Sequence, residues 1–278
     1  MSPARRRQAV ARAMTADNLS ERRAWRALGV PRSTLRYAAD EPDRYKALLR
    51  IKQLAREHFR FGYRRVTALR RRDGWVVNLK RVHRLWRAAG LKVPQAQRKR
   101  RRVGSSENGY TRHRAERPEH VWSYDFVRDQ TADGRQLKIL PVVNEFTRRC
   151  LTIEVERSMT AEDVVSVLEK RFNRHGEPEH IRSDNGPEFV AEAVQNWLAR
   201  RGAKTLHIAP GSSWENAYSE SFNSRFRDEF LGREVFSTLQ EAQVLIEGHR
   251  RECSDDTPHN SLEYQTPQHS PVAVVGRE

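Results

Sequence analysis

"IRSDNGPEF", residues 181–189, reads as a strand running out on an acid, a turn at Asn185-Gly186, and Pro187 placed for the first turn of a helix. That helix carries Phe189, Val194 and Leu198 and stops at Gly202. Strand, turn and helix in this order are the grammar of an α/β fold. Asp184, at the joint, has two readings: a turn-forming residue, or one that holds something charged.

The same texture extends on both sides. "HVWSYDFV" (120–127) alternates, with Trp122, Tyr124 and Phe126 on one side and Ser123, Asp125 and Val127 on the other. "LKILPVVNEF" (137–146) and "RRCLTIEVE" (148–156) predict two more strands, with Asp133-Gly134 as the first turn. Thr160 to Asp163 resembles a capping box opening a helix with Val164, Val167 and Leu168, which ends near Gly176. Downstream, "KTLHIA" (204–209) predicts a fifth strand, "PGSSWEN" (210–216) a loop and "AYSESFNSRFRDEFL" (217–231) a helix. The order βββαβαβα predicts a five-stranded mixed sheet with helices.

Charge separates this half from the other. Residues 1–117 hold 33 Lys and Arg against 9 Asp and Glu, a net +24, whereas residues 118–278 hold 19 against 27, a net −8. An excess of that size attracts a polyanion, and the predominance of arginine suits bidentate phosphate binding. Two segments of the basic half read as helix, turn, helix. In "LSERRAWRALGVPRSTLRY" (19–37), Ala24, Leu28 and Val30 form an apolar side, Gly29 the turn and Ser33 an N-cap. In "FGYRRVTALRRRDGWVVNLKRVHRLWRAAGLKV" (61–93), Val66 and Leu69 mark one helix and Asp73-Gly74 breaks it. Asn78 caps a second helix with Val82, Leu85 and Ala89 inward and Lys80, Arg81, Arg84 and Arg87 outward as DNA contacts. Residues 94–117, with Arg100, Arg101 and Arg102, form a basic linker able to lie along a DNA backbone. Expected boundaries are 1–40 and 41–93 for the helical segments, 94–117 for the linker, 118–236 for the α/β core and 237–278 for a C-terminal helix and tail.

No apolar run reaches the roughly 18 residues of a membrane span, and Cys150 and Cys253 supply neither a disulfide framework nor a zinc-ligand set. A reducing cytoplasm is expected. His113 and His120 have no cysteine pair near them, which weighs against a His/Cys zinc site.

Three acids stand out as a constellation. Asp125 and Asp184 fall on strands, and Glu220 falls on a helix with 35 residues between it and Asp184. Asn223, Ser224 and Arg227 continue the polar stripe from Glu220, whereas Phe222, Phe226 and Phe230 suit the core; Asn223 and Arg227 are expected to contact DNA. Two carboxylates about 4 Å apart repel by roughly 4 kcal/mol at an effective dielectric of 20. Hard divalent cations relieve that cost and serve phosphodiester chemistry.

These stretches resemble a known family. "VWSYDF" (121–126), "VVNEFTRRCLTIEV" (142–155), "IRSDNGPEF" and "PGSSWENAYSESFNSRFRDEFL" (210–231) are similar to the catalytic core of bacterial insertion-sequence transposases, the B-frame protein related to retroviral integrases. "RRAWRALGVPRSTLRY" (22–37) and "FGYRRVTALRRRDGW" (61–75) resemble that family's N-terminal segments. The resemblance implies an RNase H-like core behind small helix-turn-helix segments, with a D, D, 35, E triad carried onto Asp125, Asp184 and Glu220 as catalytic and metal-holding residues. It implies cleavage of element ends and strand transfer by a 3′-hydroxyl, with two Mg2+ ions or Mn2+. It also implies double-stranded DNA as partner, a homo-oligomer on DNA, an A-frame partner or fusion, and a bacterial cytoplasmic, nucleoid-associated setting. The alternative is a DNA-binding protein without catalysis, a transposition repressor or a decayed copy. Departures from the family pattern are Asn144 for an aspartate and, in the tail "HRRECSDDTPHNSLEY" (249–264), His249, Cys253, Ser254, Thr257 and Glu263 for Trp, Tyr, Asn, Arg and Gly.

Overall fold

The computed structural model describes residues 3–36, 41–94, 114–184, 186, 189, 191–207 and 216–270. The linker arginines Arg100, Arg101 and Arg102, the turn residues Asn185 and Pro187, and residues 208–215 of the strand end and loop lie outside them. The chain divides into two compact units, Met1–Arg50 and Ile51–Glu278.

In the first unit, α1 (Pro3–Ala16), α2 (Glu21–Ala27) and α3 (Arg32–Arg36) gather around buried Val10, Ala24 and Val30. Gly29 turns the chain at φ +59°, a conformation that suits a residue without Cβ. Two expectations fail here. Leu28 is 46% exposed instead of joining the apolar side, because the chain is already turning at it. Ser33 lies inside α3 and not at its cap, because the helix is entered at Pro31, two residues earlier.

The second unit begins within α4 (Glu41–Glu57) and continues with α5 (Tyr63–Arg72) and α6 (Leu79–Ala88). Val66 and Leu69 of α5 and Val82, Leu85 and Trp86 of α6 are buried. Asn78 caps α6, its side chain accepting the Lys80 N–H at 2.8 Å.

Six strand segments follow: β1 (Val121–Tyr124), β2 (Val127–Gln130), β3 (Gln136–Asn144), β4 (Cys150–Glu156), β5 (His180–Ser183) and β6 (Lys204–His207). β1 and β2 both pair antiparallel with β3, and the register runs on between them: Trp122 opposite Asn144, Tyr124 opposite Val142, then Val127 opposite Ile139. They are two halves of one strand, so the sheet has the five positions expected, with β4 on the far side of β3 and β5 and β6 added in parallel beyond β1. The same register sets the break, at Asp125, opposite Pro141, which has no N–H to donate to a ladder.

Helices cover both faces. α7 (Ala161–His175), opened by the Thr160/Asp163 capping box, and α8 (Glu192–Arg200) bury Val164, Leu168, Phe172, Val194 and Leu198 against Trp122, Tyr124, Leu140 and Ile181. On the other face, α9 (Ala217–Phe226) and α10 (Leu239–Arg251) bury Phe222, Phe226, Ala242 and Ile246 against Val127, Ile139, Val143 and Val155. A π-helical turn, Arg227–Leu231, ends α9, and another, Glu252–Asp256, ends α10.

The tail folds into a closed loop in which His259 N–H reaches the Gln265 carbonyl and Tyr264 N–H the His259 carbonyl, both at 2.9 Å. Closing it forces Glu263 and Tyr264 into the left-handed region, at φ +52° and +66°. This explains why glycine suits position 263 in the family. A residue with Cβ there costs about 1 kcal/mol. Glu263→Gly is therefore expected to stabilise the chain by about 0.5–1 kcal/mol in denaturant unfolding; a lower midpoint would contradict the left-handed assignment.

Candidate active site

β1 and β5 are adjacent parallel strands in the register Val121 to His180, Trp122 to Ile181 and Ser123 to Arg182. Carried forward two residues, that register sets Asp125 beside Asp184, both just past the carboxyl ends of their strands. Alternation puts the two side chains on one face, the face covered by α9. There, Asn223 Nδ2 donates to Asp125 Oδ2 at 3.0 Å, and Glu220 sits one turn earlier on the same helix, exposed, in the first turn where the helix dipole favours an anion.

Electrostatics ties the three acids together. Burial pushes the Asp125 carboxyl up to about 6, and the negative charge of Asp184 and, more weakly, of Glu220 adds to the rise. The Asn223 amide and the Phe126 N–H pull the other way. Their ligand atoms do not all lie within 4.8 Å of one another, so the cluster is open and not collapsed. Mutual repulsion favours such spacing, and hard cations take oxygen ligands of this kind. By donor type alone, three carboxylates, the set is of the kind a hard divalent cation takes.

The turn-forming reading of Asp184 is seen directly in the fold. Asp184 Oδ1 accepts the Gly186 N–H at 3.1 Å, forming the turn, while the carboxylate stays only half-buried and acts on Asp125. Phe189 fastens the turn to β1: its ring packs at 4.6 Å from Tyr124 and 4.7 Å from Phe126, the two neighbours of Asp125.

Behind the acids, Arg182 donates from Nε to Glu145 Oε1 at 2.9 Å, and both side chains are almost wholly buried. Neither was singled out from sequence, although a lone charge inside an apolar strand is itself a signal that a partner exists. Asn144, where the family has aspartate, accepts the N–H groups of Phe146 and Thr147 and donates to Glu119. Burial raises the Glu119 pKa. An amide can serve that acid as a donor, whereas an ionised carboxylate could not.

The DNA contacts expected from sequence fall in different settings. Lys80, Arg81, Arg84 and Arg87 are exposed along α6, and Arg227 is exposed at the first π turn. Asn223 is buried against Asp125. On α5, Arg65 pairs with Glu229 and Arg72 with Asp256, each at 2.9 Å.

One cluster has no counterpart in the sequence reading. Among the described residues, His120, Glu179 and His180 bring ligand atoms within 4.8 Å of one another, at the opposite end of β1 and β5. His120 Nδ1 accepts the Glu116 N–H at 3.1 Å, which fixes the proton of the neutral ring on Nε2, 3.9 Å from Glu179. That nitrogen therefore presents a donor to Glu179, not a lone pair to a metal. Arg117 also donates to Glu179. The geometry is that of a polar fastening.

Comparison with known proteins agrees with this architecture. Residues 115–213 match the Integrase core domain, residues 201–267 a second Integrase core domain and residues 42–102 an HTH-like domain. The chain is 40% identical to the insertion element IS407 uncharacterized 31.7 kDa protein of Burkholderia multivorans, over 90% of each chain. It is 30% identical to the putative transposase InsK for insertion sequence element IS150 of Escherichia coli, over 80% of this chain and 82% of that one. The HTLV-2 integrase catalytic core domain in complex with magnesium aligns with 56% of this chain and 99% of its own at 17% identity and TM-score 0.41, too slight a likeness to carry weight. Its RNase H-like core, its HTH-like helical segment and its relatives together make this chain a member of the insertion-sequence transposases, a family of DNA-acting polynucleotidyl transferases.

Proposed function

We propose that the chain cuts DNA at insertion-sequence ends and joins the freed 3′-hydroxyl to another strand, with Asp125, Asp184 and Glu220 as its catalytic acids. The observation that carries this reading is the β1–β5 register that sets Asp125 beside Asp184, under the helix bearing Glu220. Two divalent cations held by these carboxylates would stabilise charge on the attacking and leaving oxygens of an in-line displacement.

The protein's own groups have distinct parts in this scheme. Asp125, on whose carboxyl both Asp184 and Glu220 act, would hold metal together with them; Asn223 donates to its Oδ2 and so fixes the direction of the carboxylate. Asp184 keeps its direction through the Gly186 turn. The exposed basic face of α6 is suited to the phosphates of double-stranded DNA. Water attacks first and releases a 3′-hydroxyl; that hydroxyl then attacks a target phosphodiester, one P–O bond forming as another breaks. No covalent enzyme intermediate is needed. Joining two element ends calls for more than one copy of the chain on DNA.

The purified full chain is expected to nick a duplex containing an element end in magnesium and not in chelator. DNA binding with no cleavage under any divalent cation would favour a non-catalytic binding protein instead.

A further inference from the structure

A concave pocket of about 420 Å³ opens beside the C-terminal end of α9, walled by residues of four sequence regions: Arg60 to Arg65, Val93 and Pro94, Arg225 to Glu229, and the tail at Asn260 and Tyr264. It contains four arginines. Two are neutralised locally, Arg60 by Asp228 at 3.8 Å and Arg65 by Glu229 at 2.9 Å. The other two meet neutral groups. Arg64 donates to the Tyr63 hydroxyl at 3.3 Å, with the Tyr264 hydroxyl also acting on its charge, and Arg225 bonds to the Ser221 carbonyl at 3.3 Å and to His259 Nδ1 at 3.4 Å. Among the described residues neither of these guanidiniums is paired with a carboxylate, so the pocket is net cationic.

His259 is 2% exposed, and burial, with help from Arg225, Arg65 and Arg148, pushes its pKa down to about 3. It stays neutral and serves Arg225 as an acceptor. The tail loop also holds Tyr264 at φ +66°, an uncommon conformation for a bulky residue, and in it Tyr264 lines the pocket together with Arg64. Backbone strain kept at a cationic, aromatic pocket is the kind of outlier that marks a ligand site.

We propose that this pocket grips one backbone phosphate of the DNA strand, with its attached nucleotide, through Arg64, Arg225 and Tyr264. This rests on the reading of Glu220 as a catalytic acid, since Arg225 lies five residues further along the same helix. That is about 7.5 Å of rise and, at about 100° per residue, a different face of the helix from Glu220, so the phosphate gripped is one flanking the reacting phosphate and not the reacting one itself. An arginine fork suits phosphate and a tyrosine ring suits the neighbouring base or sugar. The tail that departs from the family pattern thereby acquires a part in holding the substrate.

The test is equilibrium binding of the full chain, without divalent metal, to a labelled duplex of generic sequence across a salt series, since phosphate contacts carry no sequence information. Arg64 is exposed, so Arg64→Ala should leave the melting temperature unchanged; Tyr264→Asn keeps a residue that tolerates the left-handed backbone. Each is expected to weaken binding about three- to tenfold, and Arg64→Ala to lower the slope of log affinity against log salt by about 0.9. Parental affinity and slope in both variants would overturn the proposal. Because the assay involves no cleavage, that outcome would leave the catalytic reading standing, and loss of the catalytic reading would leave the binding result intact.

Discussion

Asp184→Asn and Glu220→Gln should each lower cleavage and strand transfer in magnesium by roughly a thousandfold or more, while duplex binding stays within about threefold of the parent. Either change preserves shape and removes one charge from a set whose members already act on one another, as the raised Asp125 pKa records. The amide of Asn can still accept the Gly186 N–H, so the turn at 184 survives and the loss reports on charge. Glu220 is exposed in the first turn of α9, and its replacement disturbs no packing. Retained turnover in either variant, measured by single-turnover cleavage of a labelled element end, would remove that residue from the chemistry.

Arg182→Ala should destabilise the fold by about 3–5 kcal/mol, the effect of stranding a buried partner charge. Glu145 is 1% exposed and joins the turn after β3 to β5 through this pair, on the face that carries Asp125 and Asp184. Removing Arg182 leaves the glutamate buried with its principal cation gone. Replacing both residues with leucine should recover much of the loss, since a buried ion pair gains little over an apolar pair of similar size. Denaturant unfolding of the single and double variants checks both statements. A single variant within about 1 kcal/mol of the parent would mean that the pair adds nothing to the platform beneath the acids.

Much of this was legible in the sequence because its signals are local. Alternation in "HVWSYDFV", the capping box at Thr160 and the turn at Asp133-Gly134 need only neighbours to act, and each appears in the fold. The two faces of the sheet followed from the same alternation, with Trp122 and Tyr124 in one core and Val127 in the other. Three-dimensional pairings were beyond its reach. Nothing near Arg65 or Arg72 in sequence says that these arginines meet Glu229 and Asp256, more than 150 residues away, so basic charge alone overstates what is left for DNA. Asn223 was placed on the right stripe, but only packing shows that its amide is taken by Asp125. The strain at Glu263 was invisible for a related reason: a left-handed backbone is set by loop closure between His259 and Gln265.

The titration of Asp125 gives the proposed metal site its most direct test. Its ordinary value of 3.8 rises to about 6 in the folded chain, so its contribution to stability is complete below about 3.8 and is lost as pH rises through about 6. Metal held by the ionised carboxylates must displace that proton. Calorimetric titration of the full chain with magnesium at pH 6, in buffers of different ionisation enthalpy, should therefore show release of about half a proton. Release should vanish at pH 8 and in Asp125→Asn. Magnesium binding at pH 6 without proton release, and unaltered by Asp125→Asn, would contradict the claim that these acids share one metal site.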